Sequence, residues 1–232
     1  TGVALHIAHM SSQLGLNAFL RAKHFYSRIS AETCPHYLLL DDNAYSRRQG
    51  ALFSVMPPLR SESDRNALWT SLANRTLALV ATDHCLLSSA QKAGKQPLED
   101  LPYGLPGLGL LLPLLYSEGV VPGRISLTDI PRLLSHGPAG VYGLLPRKGA
   151  LERGADADLV LFDPESHWDV NPETIGIDTD FTPYDGHSVQ GEVVATMVRG
   201  ELVYERGSFL GTPGAGQFVP MFGANPPDRK TA

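Results

Sequence analysis

Along the first third of the chain, short apolar segments alternate with segments of helical periodicity, and this alternation constrains the fold more than any other feature. The four predicted strands are residues 3–8, 29–33, 51–55 and 77–81. Residues 13–27 repeat apolar side chains at helical spacing, and a second helix is predicted from Ser63 or Asp64 to about Asn74. This order is typical of a parallel α/β sheet, and near-continuous apolar strands fit a sheet that is buried on both faces.

Side chains that can bind a metal follow three of these predicted strands. His9 follows the first strand, His36 lies shortly after the second, and Asp83 follows the last. Because the carboxyl ends of the strands of a parallel barrel meet at one face, these side chains can converge. Imidazole and carboxylate groups suit zinc and similar divalent ions. Each residue also has a structural interpretation, as a polar strand end or a helix cap, and periodicity alone leaves both interpretations open.

Neighbouring residues are weaker candidates for the same site. His6 lies three positions before His9, so strand alternation directs the two to opposite faces, and His9 at the strand end is the better ligand. His84 alternates away from Asp83 and is predicted to contact substrate or support the site. Cys34 and Cys85 are interpreted as small buried cysteines, although a thiolate ligand stays open. The sequence contains no GxSxG elbow, no P-loop and no CxxC pair.

Beyond residue 87 the pattern changes twice. Residues 88–107 are predicted to form a long loop of the kind that often covers a binding site. Helical segments follow at about 108–119, 127–135 and 138–144, and short alternating β segments follow these. The predicted parts of the chain are therefore an α/β part at 1–148, a small β domain at 149–221 and a flexible tail at 222–232.

Composition argues against several functional classes. A formal net charge of -5 and a sequence pI of about 5.9 give no electrostatic basis for binding nucleic acid or an anionic membrane. No apolar run is long enough to span a bilayer. Two cysteines do not make a disulfide framework, so the cytoplasm is the predicted location. The chain begins with Thr1 and enters a predicted strand directly, so we expect a fragment of a longer protein.

Eight segments carry a resemblance to a known family. They are HIAHMSS, AETCPHYLLLDD, MPPLR, ATDHC, LPYGLPGL, GRISL, LLPRKGALERGADADLVLFDP and DFTPYDGHSVQGEVVATMVRGELVYERGSF. In this order they resemble the second half of the cyclic amidohydrolases, the family of dihydropyrimidinase (hydantoinase), allantoinase and dihydroorotase. The segments cover nearly the whole chain, and their order makes the resemblance specific.

The resemblance implies a fold and a site. The implied fold class is α/β, the second half of a metal-dependent (β/α)8 TIM barrel with strands 5–8 in residues 1–148, followed by a small β-sandwich portion. The family holds two divalent ions, usually zinc, through a His-x-His pair after strand 1, a carboxylated lysine after strand 4, one His after each of strands 5 and 6, and an Asp after strand 8. Carried over by motif, His9 is the strand 5 ligand, His36 the strand 6 ligand and Asp83 the strand 8 ligand.

The implied reaction is hydrolysis of a cyclic amide of the dihydropyrimidine or hydantoin type. In this family two ions share a hydroxide that attacks the amide, and Asp83 is the residue placed to pass its proton to the leaving nitrogen. The expected substrate contacts are Met56, through its backbone, with Gly137 and His84. Met56 stands where dihydroorotases generally have Asn, and no second His follows His84 closely, which argues against dihydroorotase. The tail from DFTPYDG, the RKG at 147–149 and the loop QKAGKQPLEDLPYGLPG resemble the hydantoinase branch.

Other functions stay open on the sequence alone. The alternatives are allantoinase or dihydroorotase activity, or a non-catalytic relative that serves in assembly. The presence of all three predicted ligands favours an enzyme over a scaffold. The expected partners are a small cyclic amide and further copies of the same chain, with no nucleic acid and no membrane. The His-x-His pair and the lysine are missing from this sequence, so we expect the chain alone to be inactive or weakly active.

Overall fold

A three-stranded parallel sheet forms the centre of the first part of the chain in the computed structural model, which describes residues 2–93 and 100–221. Its strands are β1 (Leu5–Ile7), β2 (Ile29–Thr33) and β3 (Leu79–Val80), in the order β1-β2-β3. Leu5 pairs with Ile29, and Thr33 pairs with Val80. The parallel α/β arrangement predicted from the alternation is confirmed.

The prediction of a strand at residues 51–55 is wrong. This segment contains a 3-10 helix, Gly50–Phe53, and the chain then runs into two prolines at Pro57 and Pro58. Phe53 and Val55 are buried, so the apolar run reports core packing rather than a strand. A short apolar run cannot distinguish these two environments by periodicity. Within the described residues the parallel sheet therefore has three strands and not the four that were predicted.

Two helices cover the sheet where the periodicity placed them. α1 (Gln13–Phe25) begins after Ser12, whose hydroxyl accepts the N–H of Gly15, and α3 (Glu62–Ala73) begins after Ser61, which accepts the N–H of Asp64. Such caps satisfy N–H groups that have no partner inside the helix. The buried residues of these helices that join the main core are Leu16, Phe19, Leu68, Trp69 and Leu72. A short helix, α2 (Pro35–Leu39), follows β2 directly.

The segment after β3 is helical and irregular. The α-helices are α4 (Ser89–Lys92), α5 (Leu111–Leu115), α6 (Asp129–Pro131) and α7 (Gly137–Val141). Among the described residues after β3 there are also a 3-10 helix at Leu108–Leu110 and π-helices at Tyr116–Val120 and Arg132–His136, and another 3-10 helix, Asp42–Ser46, precedes α3. The elements from Leu108 to Val141 fall in the predicted helical segments, whereas α4 lies in the predicted loop. In the part of the chain that the structure describes, no helix is both long enough and apolar enough to cross a membrane.

A four-stranded antiparallel sheet follows. Its strands, in spatial order, are β4 (Leu159–Asp169), β5 (Ser188–Val198), β6 (Glu201–Glu205) and β7 (Ser208–Phe209). A second hydrophobic core joins Leu110 and Leu114 to Val170 and Val189, so this sheet packs beside α5. The described residues supply one sheet here, and a two-sheet sandwich stays a prediction.

The described residues allow only part of the predicted domain division to be compared with the structure. The antiparallel sheet begins at Leu159, and the proposed boundary between residues 148 and 149 stays a prediction. The predicted flexible tail at 222–232 lies outside the described residues, as do residues 94–99 of the predicted loop. The described part of that loop contains α4, which begins with a capping box at Ser88 and Gln91.

Candidate metal centre

The three predicted ligands all follow the carboxyl ends of the parallel strands. His9 follows β1, His36 lies in α2 just after β2, and Asp83 lies in the turn after β3. His9 and Asp83 have positive φ angles of 41° and 46°. A residue with a Cβ pays about 1–2 kcal/mol for this left-handed conformation, and such strain is concentrated at functional sites. The left-handed conformation turns the chain at His9 and Asp83, just after β1 and β3 end.

His36 and Asp83 meet at this end of the sheet. Nε2 of His36 lies 3.9 Å from Oδ2 of Asp83, and together with the thiol of Cys34 their ligand atoms lie within 4.8 Å of one another. The separation of 3.9 Å is too long for a hydrogen bond. Nε2 of His36 is buried and has no hydrogen-bond partner within residues 2–93 and 100–221. An unpaired buried polar atom costs about 1–3 kcal/mol, so the arrangement favours an additional partner for this nitrogen.

Burial dominates the electrostatics of the group. It lowers the pKa of His36 to about 3, and the positive charge of His9 lowers that pKa further. Burial also raises the pKa of Asp83, where His9 opposes the shift and the carboxylate of Glu32 adds to it. Burial raises the pKa of the Cys34 thiol well above its usual range, and the negative charges of Asp83 and Glu32 act in the same direction. Burial thus favours the neutral form of both side chains, the imidazole of His36 and the thiol of Cys34.

A carboxylate that the sequence did not single out lies below this group. Glu32 is buried in β2, two residues before Cys34 and hence on the same face of the strand. Its Oε2 lies 3.0 Å from Nε2 of His6, whose Nδ1 lies 2.7 Å from the hydroxyl of Ser30. His6 therefore points to the same interior as Glu32. The available signal was a charge in the middle of a buried strand, which is rare without a partner.

The chain after β3 is held over this end of the sheet. The N–H of Gly107 donates to Nδ1 of His84 over 3.2 Å, and the N–H of Cys85 donates to the carbonyl of Leu105 over 3.1 Å. His84 thus anchors the 100–107 segment. Its predicted contact with substrate stays a prediction.

Lys92 also holds the segment that contains Gly104, through a buried hydrogen bond. The side chain is fully buried, and Nζ donates to the carbonyl oxygens of Ser54, over 2.7 Å, and of Gly104. Burial lowers the pKa of Lys92 to about 8, against a small opposing effect of Cys85. This contact has no signal in the surrounding residues, because lysines are usually exposed.

The two other predicted substrate contacts lie in different surroundings. Met56 is exposed, and the next residue, Pro57, accepts the hydroxyl of Tyr37 through its carbonyl oxygen over 2.6 Å. A Cβ added to Gly137 would lie only 2.4 Å from the carbonyl oxygen of Ala78. Ala78 precedes β3, whereas Asp83 follows it, so Gly137 packs at the opposite end of the strand. The structure therefore does not bring Gly137 into the group around Asp83.

Comparisons with known proteins agree with the sequence resemblance. The model described as the amidohydrolase family matches residues 9–203 of this chain. A D-phenylhydantoinase of Escherichia coli O1:K1 / APEC is 38% identical over 217 residues, which are 93% of this chain and 47% of the relative.

Solved structures share the fold. The chain matches a D-hydantoinase from Bacillus sp. AR9 with a TM-score of 0.90 and 35% identity, covering 94% of this chain and 49% of the other. It matches a D-hydantoinase (dihydropyrimidinase) from Thermus sp. with a TM-score of 0.91 and 31% identity, covering 96% of this chain and 50% of the other. The chain thus spans about half the length of the relatives it matches. Because the family model matches most of the chain and solved relatives share its fold, the chain belongs to the amidohydrolase family.

Proposed function

We propose that this chain is the C-terminal part of a metal-dependent hydrolase that opens a cyclic amide of the hydantoin or dihydropyrimidine type. The observation that carries the proposal is that His9, His36 and Asp83 each follow the carboxyl end of one of three neighbouring parallel strands, with the ligand atoms of His36 and Asp83 within 4.8 Å of each other. The names of the relatives, D-phenylhydantoinase and D-hydantoinase, support the substrate class.

The number of strands revises the roles of the three residues. Asp83 follows β3, and the family resemblance provides an Asp after strand 8, so β1, β2 and β3 correspond to strands 6, 7 and 8. His9 is then the strand 6 ligand rather than the strand 5 ligand. His36 follows strand 7, where the resemblance provides no ligand. The strand 5 His, the His-x-His pair and the lysine would belong to chain outside this sequence.

The residues present fit a divalent ion. An imidazole and a carboxylate after two strands of one parallel sheet are donor types that zinc accepts, and both His9 and Asp83 occupy strained left-handed turns. Asp83 is only partly buried, which leaves the open position that a catalytic site needs. When bound, two such ions would polarise the amide carbonyl and lower the pKa of the attacking water.

Asp83 is the proposed acid–base residue. Its carboxylate lies just after the carboxyl end of β3 and is partly exposed, which suits a group that must reach an attacking water. The carboxylate takes the proton of the attacking water and returns it to the amide nitrogen that leaves. His84, the neighbour of Asp83, and the backbone at Met56 are the proposed substrate contacts.

The proposal includes a missing half. β1 has one strand neighbour in the described residues, so its other edge carries unpaired backbone groups that an adjoining strand would cover. Allantoinase and dihydroorotase activity are less favoured, because the similar proteins described above are named hydantoinases and dihydropyrimidinases. Assembly into a homo-oligomer and a location in the cytoplasm stay predictions.

Turnover in two lengths of the protein tests the proposal. The chain of 232 residues and the protein encoded by the full reading frame would be purified, and hydrolysis of hydantoin and dihydrouracil would be followed. We expect ring opening by the longer protein and none, or a trace, by the chain alone. His24→Ala, on the exposed face of α1, is the control and should match wild type. Full turnover by the chain alone would refute the claim that the remaining ligands lie outside this sequence. A longer protein that binds zinc but does not open either ring would refute the proposed cyclic-amide hydrolysis.

A further inference from the structure

The strand count leaves one buried group without a role. His36 is almost completely buried, and its Nε2 is the atom that lacks a hydrogen-bond partner within the described ranges. The group facing it is Oδ2 of Asp83, at 3.9 Å. A neutral imidazole carries one N–H donor, and a carboxylate accepts hydrogen bonds only, so the two groups are chemically matched.

The imidazole is the fixed partner and the carboxylate is the movable one. The ring of His36 packs edge-on against Tyr37, with ring centroids 4.2 Å apart, and the hydroxyl of Tyr37 is itself tied to the carbonyl of Pro57. The side chain of Asp83 is 38% exposed and can rotate. A movement of the carboxylate by about 1 Å toward Nε2 gives a normal N–H···O distance.

Access argues against His36 as a metal ligand. Nε2 of His36 is closed to solvent, so the space beside it does not admit a water-sized sphere from outside. A catalytic ion must keep a position open to water and substrate. The partly exposed Asp83 offers that access, whereas Nε2 of His36 is enclosed, with Oδ2 of Asp83 and the thiol of Cys34 close to the ring.

We propose that His36 is a positioning residue that donates its Nε2–H to Oδ2 of Asp83 and holds this carboxylate in its working orientation without binding the metal. The inference rests on the proposed function, in which Asp83 is a ligand and the acid–base residue. Groups that hydrogen-bond a ligating carboxylate orient it, and their loss typically costs 10- to 100-fold in activity or metal affinity. Oδ1 of Asp83 is left for the ion and the transferred proton.

Two substitutions of His36 separate donation from ligation. Both would be made in the full-length protein. His36→Gln keeps an N–H donor on a side chain that is a poor zinc ligand, whereas His36→Ala removes the donor. We expect His36→Gln to keep the wild-type number of zinc ions per chain and at least a tenth of wild-type kcat. We expect His36→Ala to lower kcat by about 10- to 100-fold with little change in KM.

The metal content provides the decisive comparison. His9→Ala is the reference for a lost ligand and should lose about one ion per chain. Loss of an ion by both His36 variants, as in His9→Ala, would overturn the proposal, because His36 would then be a ligand. Equal kcat losses in His36→Gln and His36→Ala with full metal content would overturn the donor role. If His36→Ala does not fold, the zinc content and kcat of His36→Gln still test the proposal, because loss of an ion, or a kcat below a tenth of wild type with full metal content, would overturn it.

A spectroscopic measurement keeps this inference separate from the proposed function. In protein labelled with 15N-histidine, the proposal predicts the Nε2–H form of His36, with a nitrogen shift that changes on Asp83→Asn. Disappearance of the Nε2–H signal when zinc alone is added would show ligation and overturn the proposal. Absence of hydantoin turnover in a wild-type protein that shows this signal would instead overturn the function.

Discussion

Gly137 offers the sharpest test of the packing, because sequence and structure give it different roles. The resemblance predicts a substrate contact, whereas the structure places it where α7 begins, against the start of β3. A Cβ at this position would lie 2.4 Å from the carbonyl oxygen of Ala78 and 2.7 Å from that of Arg132. Both are backbone atoms, so Gly137→Ala forces α7 and β3 apart by up to about 1 Å.

We expect Gly137→Ala to destabilise the protein by about 1–3 kcal/mol, the usual cost of overpacking. Gly140→Ala in the same helix is the control, because its Cβ meets only Cδ1 of Leu145 at 3.5 Å. That variant should be neutral or stabilised by about 0.4–1 kcal/mol, since Ala restricts the unfolded chain. Urea unfolding of both variants measures the difference. Equal midpoints for Gly137→Ala and wild type, with a raised KM, would refute the packing argument and support the substrate contact.

Three further outcomes follow from the contacts. Hydrogen bonds from Ser126 and Arg132 outweigh burial and lower the pKa of Asp129 to about 2. The ionised carboxylate therefore stabilises the folded protein by roughly 2 kcal/mol at a pH above its ordinary pKa of 3.8, and this contribution is lost as the pH falls through 2. The stability gap between wild type and Asp129→Asn in urea should therefore close between pH 5 and roughly pH 2, and a gap independent of pH would refute this. Trp69→Phe leaves the carbonyl of Leu38 without its 2.8 Å donor and should cost about 1–3 kcal/mol in urea unfolding. A chelator should lower the Tm of the full-length protein, and an unchanged Tm would contradict a bound metal.

Two helices, and the placement of His9 and Asp83 just after strands, could be predicted because their signals are local. α1 and α3 have an apolar face at helical spacing and a serine cap at the first turn. His9 and Asp83 follow apolar segments that do form strands. Each of these inferences depends on residues within one or two turns of the chain, where side-chain periodicity determines structure directly.

The errors arose where the environment depends on distant residues. The apolar segment 51–55 is buried by packing rather than by strand pairing, and the family strand numbers proposed for His9 and His36 depend on this difference. Glu32 is buried because His6, on the neighbouring strand, pairs with it. Burial of Lys92 is possible because two carbonyl groups from separate segments accept hydrogen bonds from its ammonium group. None of these partners can be identified from the sequence around the residue itself.

The number of zinc ions bound by the full-length protein tests the central claim most directly. Wild type, His9→Ala and Asp83→Asn would be dialysed against a weak chelator and analysed for metal by mass spectrometry. The account predicts two ions per chain in wild type and a loss of about one or more in each variant. Two ions retained in both variants, with wild-type ring opening, would contradict the assignment of these strand ends as a metal centre.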